Sequence, residues 1–247
     1  GAGIIGVTTA YFLARQGAEV VVLDRQRAPG METSFANAGE LSYGMTSPWA
    51  APGIPLKALK WLFMRHRPLF IWPLMSPAMW AWCSKMLMNC NEKSYALNKG
   101  RMVRVSNYSR DSLTELMAEL PINFDQRELG TLQLFRTQKQ VDGSKADQDV
   151  LAAFDSPFEM LDRDGCIAVE PGLAHVSEKF VGGLRLLSDR TGDCRMFTQA
   201  LADKAAEMGV NFHYNVTIDG LAMERGRIVG VDTSEGRQTA DKYVCAM

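Results

Sequence analysis

Three glycines, at Gly1, Gly3 and Gly6 in the run Gly-Ala-Gly-Ile-Ile-Gly, constrain this chain more than any other feature. A GxGxxG turn brings the main chain close to something bulky and anionic. The first glycine permits the tight turn, the second removes the side chain that would block a pyrophosphate, and the third lets the following helix pack closely on a sheet. The next residues predict a helix from Ile4 to Gln16, with Ile5, Thr9, Phe12 and Leu13 spaced for a buried face, Ala10 as a second small packing position and Gly17 as a left-handed stop. Glu19 to Leu23 is a nearly continuous β-branched run, as in a parallel strand buried on both faces. Asp24 ends that strand eighteen residues after Gly6, where a carboxylate can accept hydrogen bonds from a ribose diol. In register, these elements predict a dinucleotide-binding unit whose helix N-terminus turns free N–H groups toward the phosphates. The strand that should precede Gly1 is missing, so the chain reads as a piece of a longer protein.

The 247 residues and their 47% hydrophobic content suffice for one large or two interleaved domains. A net charge of −1 conceals an asymmetry: Leu41 to Asn91 has no acidic residue and carries Lys57, Lys60, Arg65, Arg67 and Lys85, so that segment is +5 and the remainder −6. Nucleic acid is not an expected partner. The five cysteines form no CxxC and sit in apolar surroundings, as buried reduced thiols of a cytoplasmic protein do. The three histidines are scattered without ligand spacing, so no metal site is expected. The longest uncharged run, Pro68 to Ser84, is broken by Pro73 and Pro77 and is short for a membrane span.

After Asp24, a turn-rich stretch beginning at Arg25 leads into Glu32 to Ser42, where Ser34 and Asn37 supply hydrogen-bonding groups and Ala36, Ala38 and Gly39 leave the backbone bare. Such a loop suits close approach to a flat polar ring or a phosphate, and a solvated surface loop fits the composition equally well. All five tryptophans fall between Trp49 and Trp82, alongside helices expected from about Pro55 to His66 and Pro77 to Asn89. That cluster is either core or a surface for membrane or partner contact. A long helix is expected from Asn98 to Leu120, with Met102, Val105, Leu113, Leu116 and Met117 on one side and its charged residues solvated. A strand at Gly130 to Phe135, an exposed helix at Gln138 to Phe154 and a strand at Gly182 to Leu187 follow. From Asp193 the pattern returns to α/β, with a helix from about Arg195 to Met208, a strand at Val210 to Tyr214, short strands around Ile218 to Leu221 and Arg227 to Asp232, and a last apolar strand within Gln238 to Ala246.

Several blocks beyond the glycine motif carry a resemblance: Thr33-Ser-Phe-Ala-Asn-Ala-Gly39, Ser47-Pro-Trp-Ala-Ala-Pro-Gly-Ile-Pro-Leu-Lys57, Asn98-Lys-Gly-Arg-Met-Val-Arg104, Gly130-Thr-Leu-Gln-Leu-Phe-Arg-Thr137 and Thr191-Gly-Asp-Cys-Arg-Met-Phe-Thr-Gln199. The chain resembles the D-amino acid dehydrogenase family, within the flavin-dependent amine oxidoreductases related to D-amino acid oxidase and glycine oxidase. The expected fold is α/β. A Rossmann-like FAD-binding domain of residues 1–48 and 187–247 is interrupted by a mixed α+β cap or substrate domain of residues 49–186, and the first strand and the C-terminal part are lacking. The resemblance implies FAD as cofactor, a D-amino acid as substrate and a quinone or other electron acceptor of the respiratory chain. With no spanning segment, the basic, tryptophan-rich stretch Leu41 to Asn91 is the expected place of peripheral contact with the cytoplasmic face of the inner membrane. A related oxidase acting on glycine, sarcosine or proline with oxygen, or a non-catalytic dinucleotide module, are the alternatives.

The candidate cofactor residues are Gly1, Ala2, Gly3, Ile4, Ile5 and Gly6 of the glycine loop, with Asp24 and Arg25 at the strand end. Ser34, Asn37, Ala38 and Gly39 of the following loop join them, as does Val216, which matches a position that touches the adenine in resembling flavoproteins. Asp24→Ala and Gly39→Val are each expected to impair FAD binding while the fold survives. No catalytic residue is assigned, because the resemblance places much of the substrate pocket in the C-terminal part.

Overall fold

The structure, a computed structural model, describes residues 1–62 and 76–246. The chain forms two compact units, one of Gly1–Leu41, Met117–Glu128 and Arg190–Met247, the other of Ser42–Leu116 and Leu129–Asp189.

Helix α1, Ile4–Arg15, is followed by strand β1, Val21–Asp24, and the short strand β2, Glu40–Leu41. Two short helices come next: α2, Ile54–Leu62, and α3, Pro77–Asn89, whose Ser76 hydroxyl caps the Met79 N–H ahead of Pro77. The part of the first expected helix beyond Leu62, with Arg65, Arg67 and Trp72, lies outside the described residues. Helix α4, Glu92–Glu119, is longer at its start than the apolar pattern indicated. Strand β3, Thr131–Phe135, leads to α5, Gln138–Gly143, and α6, Lys145–Ala153, two helices where one was expected, parted at Ser144. Strand β4, Phe158–Asp162, helix α7, Arg163–Val169, a 3-10 segment, Pro171–Lys179, and strand β5, Gly182–Leu186, follow. Strand β6, Arg190–Thr191, and helix α8, Cys194–Glu207, precede β7, Asn211–Tyr214, then β8, Ile218–Glu224, β9, Arg227–Thr233, and β10, Gly236–Gln238.

In the first unit β1 and β7 run parallel, Val21 beside Asn211 and Asp24 beside Tyr214. Helices α1 and α8 pack together, burying Gly6, Val7, Ala10 and Tyr11 of one and Phe197, Thr198, Leu201, Ala202 and Ala205 of the other. Small residues on both helices allow the axes to come close. Gly17 and Gly209, both at positive φ, end these helices in the left-handed conformation that favours glycine. The buried face of α1 is therefore not the expected one: Ile5 is 63% exposed and Phe12 is also exposed. Nor is β1 buried on both faces, since Val21 is 51% exposed. The α1 sequence has apolar side chains all around, and the small-residue stripe at Gly6 and Ala10 selects the face that meets α8. Strands β8, β9 and β10 form an antiparallel meander, while β2 and β6 make a separate antiparallel pair. Residues 239–246 pair with no strand among the described residues; the Ala240 N–H donates instead to the Tyr243 hydroxyl at 2.8 Å. The apolar run Tyr243 to Ala246 has strand composition, but a strand also needs a partner edge.

The second unit has a three-stranded antiparallel sheet with β5 in the centre, flanked by β3 and β4. Its core is Phe135, Leu151, Leu184 and Leu186, with Val141 and Phe158 against it. Lys99 of α4, expected on a solvated face, is 2% exposed and pairs with Asp147 of α6, which also accepts from the Tyr95 hydroxyl at 3.2 Å. Three of the tryptophans are not core: Trp49, Trp80 and Trp82 are 80%, 63% and 51% exposed, and α3 buries no residue. Of the cysteines, all free, only Cys166 is buried and Cys245 is exposed in the unpaired terminal stretch, so the expectation of five buried thiols is corrected.

Candidate functional site

The site lies in the first unit, at the carboxyl ends of β1 and β7, where open parallel sheets hold their ligands. The first N–H bonded into α1 is that of Val7, to the Gly3 carbonyl at 2.9 Å. Ile4, Ile5 and Gly6 precede it, so their N–H groups project from the helix end without intrahelical acceptors. Gly3, the N-cap residue, has no side chain to satisfy them and α1 has no acid in its first turn. One is met from a distance: the Ile4 N–H donates to Ser34 Oγ at 3.0 Å, and Ser34 is buried. A Cβ on Gly3 would stand 3.4 Å from that hydroxyl, and one on Gly6 would strike the Gly1 carbonyl. The glycine loop is thus folded tightly on itself, leaving the Ile5 and Gly6 N–H groups for an anion.

Asp24 braces this loop. Its carboxylate accepts from the Ala2 N–H at 2.5 Å and the Gln26 N–H at 2.7 Å, and its carbonyl accepts from the Val216 N–H at 3.0 Å. Val216 is buried at the end of β7 beside Asp24. Nearby, burial foremost, then the negative charges of Asp203 and Asp24, push the Tyr214 hydroxyl above its ordinary pKa. Arg25 turns to the surface, where its guanidinium holds Glu32 at 2.8 Å. The Gln26 amide, then the Arg25 hydrogen bond and charge, hold Glu32 below the usual carboxylate range.

Asn37, Ala38 and Gly39 line a hollow of about 490 Å³ with Ser34 to Ala36, and Asp125, Arg127 and Thr191 to Cys194 form its other wall. Asn37 Oδ1 accepts the Gly39 N–H at 2.9 Å, closing a local turn. Gly39 has φ +66, and a Cβ there would lie 2.8 Å from the Gly192 carbonyl, while the Gly192 N–H donates to the Gly39 carbonyl at 2.8 Å. The protein's own backbone therefore demands glycine at this position, whatever else approaches it. The second wall was missed as a site by sequence reasoning. The Thr191 to Gln199 block was its one visible signal, and Asp125 and Arg127 have no local signature. The structure thus gathers Gly1 to Gly6, Asp24, Ser34 and Val216 about the end of α1, puts Asn37, Ala38 and Gly39 along the hollow and leaves Arg25 in a surface ion pair.

A parallel strand pair, a helix end with open N–H groups and a carboxylate at the strand end define a dinucleotide-binding fold. The family model for FAD dependent oxidoreductases matches residues 1–247, and the chain belongs to that family. Its cofactor is accordingly FAD. A D-amino acid dehydrogenase of Rhodopseudomonas palustris is 56% identical over 247 residues, covering 100% of this chain and 58% of the relative. The chain thus spans somewhat over half the length of such relatives. Among solved structures, a glycine oxidase from Bacillus cereus aligns with TM-score 0.65 and 21% identity over 98% of this chain and 53% of that one. An L-proline dehydrogenase from P. horikoshii aligns with TM-score 0.63 and 19% identity over 97% of this chain and 49% of that one. These two share the fold. The open N–H groups at the α1 end, with Asp24 beside them, suit the diphosphate and ribose of FAD.

Proposed function

We propose that the chain is the greater part of an FAD-dependent D-amino acid dehydrogenase, which converts D-amino acids and water to 2-oxo acids and ammonium. The observation that carries this reading is the 56% identity to the Rhodopseudomonas palustris enzyme across all 247 residues. In this reading the first unit is the FAD-binding domain and the second contributes to the substrate side. The N–H groups of Ile5 and Gly6 and the Ser34 hydroxyl hold the diphosphate, Asp24 takes the ribose diol, and Val216 packs against the adenine. The Asn37 to Gly39 backbone, Arg25 beside the ribose and the rest of the glycine loop complete the cofactor's surroundings. When bound there, FAD would supply the hydride acceptor for oxidation at the substrate Cα. The chain's own part is to fix the cofactor. The decisive experiment is anaerobic addition of D- and L-amino acids, glycine, sarcosine and proline to the full-length holoprotein. Flavin bleaching with stoichiometric ammonium from D-amino acids alone is expected; bleaching only by glycine, sarcosine or proline overturns the substrate assignment.

We further propose that electrons leave to a quinone and that the protein attaches peripherally to the cytoplasmic face of the inner membrane through Leu41 to Asn91. Among the described residues no helix is long and apolar enough to cross a membrane. Support comes from exposed Trp49, Trp80 and Trp82 in a stretch whose charged residues are all basic. Anionic lipid attracts such a surface by about 1 kcal/mol per nearby basic residue, and tryptophan settles at headgroup level. Replacing Lys57, Lys60, Arg65 and Arg67 by Gln is expected to abolish flotation of the full-length protein with anionic vesicles at low salt; equal flotation refutes the attachment.

A further inference from the structure

Arg195, the second residue of α8, makes an unusual use of its charge. Its guanidinium carbon lies 4.4 Å from the centroid of the Phe35 ring, and its Nε is buried without a hydrogen-bond acceptor. It enters no ion pair among the described residues, although Asp193 is two positions away; that carboxylate instead caps α8 by accepting the Met196 N–H at 2.8 Å. Phe35 itself is 45% exposed, so burial alone does not hold the ring in place.

The first turn of α8 and the residues just before it flank the segment around Phe35 at both ends. A Cβ on Gly30 would lie 3.4 Å from Thr198 Cβ and 3.6 Å from Arg195 Cγ. At the other end the Gly192 N–H holds the Gly39 carbonyl at 2.8 Å. Residues 30–39 are therefore gripped at their start, middle and finish by residues 192–198. Ser34, adjacent to Phe35, reaches away from that grip to the Ile4 N–H of α1.

We infer that Arg195 is a positioning residue of the cofactor site: through Phe35 it fixes the loop that presents Ser34 to the helix end. This rests on the reading of Ser34 as a diphosphate ligand. The test uses apoprotein of the full-length chain, titrated with FAD by flavin fluorescence, and melted without FAD as a control. Arg195→Met is expected to weaken FAD binding about two- to thirtyfold, the range of a cation–π contact from exposed to desolvated, with the apoprotein melting temperature preserved. Arg195→Lys restores most of the affinity, and Phe35→Leu reproduces the loss, providing the same test should Arg195→Met not fold. In a Ser34→Ala background, Arg195→Met has no further effect. If Ser34→Ala weakens FAD binding and Arg195→Met does not, the inference falls while the cofactor reading stands. If neither variant changes affinity, the Ser34 reading falls and takes the inference with it. Losses that multiply in the double variant, or that follow a lowered apoprotein melting temperature, also overturn it.

Discussion

Asp24 is asked to do two things, and their separation can be measured. Its carboxylate already accepts two backbone N–H groups, from Ala2 and Gln26, before any cofactor is considered. A carboxylate has about four lone-pair positions, so roughly two remain for the ribose hydroxyls. Asp24→Ala therefore removes the brace of the glycine loop as well as the ribose contact. Hydrogen bonds to a charged group contribute about 1.5–3 kcal/mol each. Asp24 is partly exposed, so water takes over some of the work and the lower figure applies to both bonds. The apoprotein should thus lose about 3 kcal/mol, which for a domain of this size lowers the melting temperature by about 6–12 °C. This corrects the expectation that Asp24→Ala leaves the fold intact. Asp24→Asn should recover only part of the loss, because the amide keeps one acceptor oxygen and turns an NH₂ toward the other backbone donor. Urea and thermal unfolding of the apoprotein give the first effect, and FAD titration of each variant gives the second. An Asp24→Ala apoprotein melting within about 2 °C of wild type, less than 1 kcal/mol on this scale, would refute the bracing role.

Gly39→Ala should destabilise the apoprotein by about 2 kcal/mol, from positive φ and the 2.8 Å approach of the Gly192 carbonyl. Gly39→Val should cost more and unfold before it excludes cofactor, and unchanged urea midpoints would refute both. Asp147→Ala should destabilise on the order of 2–3 kcal/mol by stranding buried Lys99, while Lys99→Met costs less; the reverse order in urea titrations would refute the pairing argument. Burial, and to a lesser degree the charge of Asp162, raise the Cys166 thiol above its ordinary pKa. The folded state therefore keeps a proton that the unfolded chain releases above about pH 8.5. The stability this thiol contributes is complete below that pH and is lost as pH rises toward the raised value. Cys166→Ala should flatten this part of the alkaline decline, and identical pH profiles of melting temperature would count against it.

The features legible in sequence are those whose cause is local. The GxGxxG turn, the stops at Gly17 and Gly209 and the Pro77 start of α3 each depend on a few adjacent residues, and their elements appear where expected within a residue or two. Burial was less legible, because it depends on what lies opposite. Helix α1 is apolar on several sides, so periodicity alone could not choose the stripe that meets α8; Lys99 looks like any solvated helix lysine until Asp147 is brought beside it; and the tryptophans look like core on composition alone. The site divides in the same way. Asp24 and the glycine loop are read from spacing, whereas the wall of Asp125, Arg127 and Thr191 to Cys194 is assembled from distant chain segments. Gly39 shows why composition cannot finish the task. A glycine required by a ligand and one required by a neighbouring backbone are the same letter, and at Gly39 the carbonyl of Gly192 supplies a sufficient reason on its own. Evidence that this loop meets the flavin must therefore come from neighbours whose side chains are not already committed, and Ala38, exposed along the hollow, is such a position.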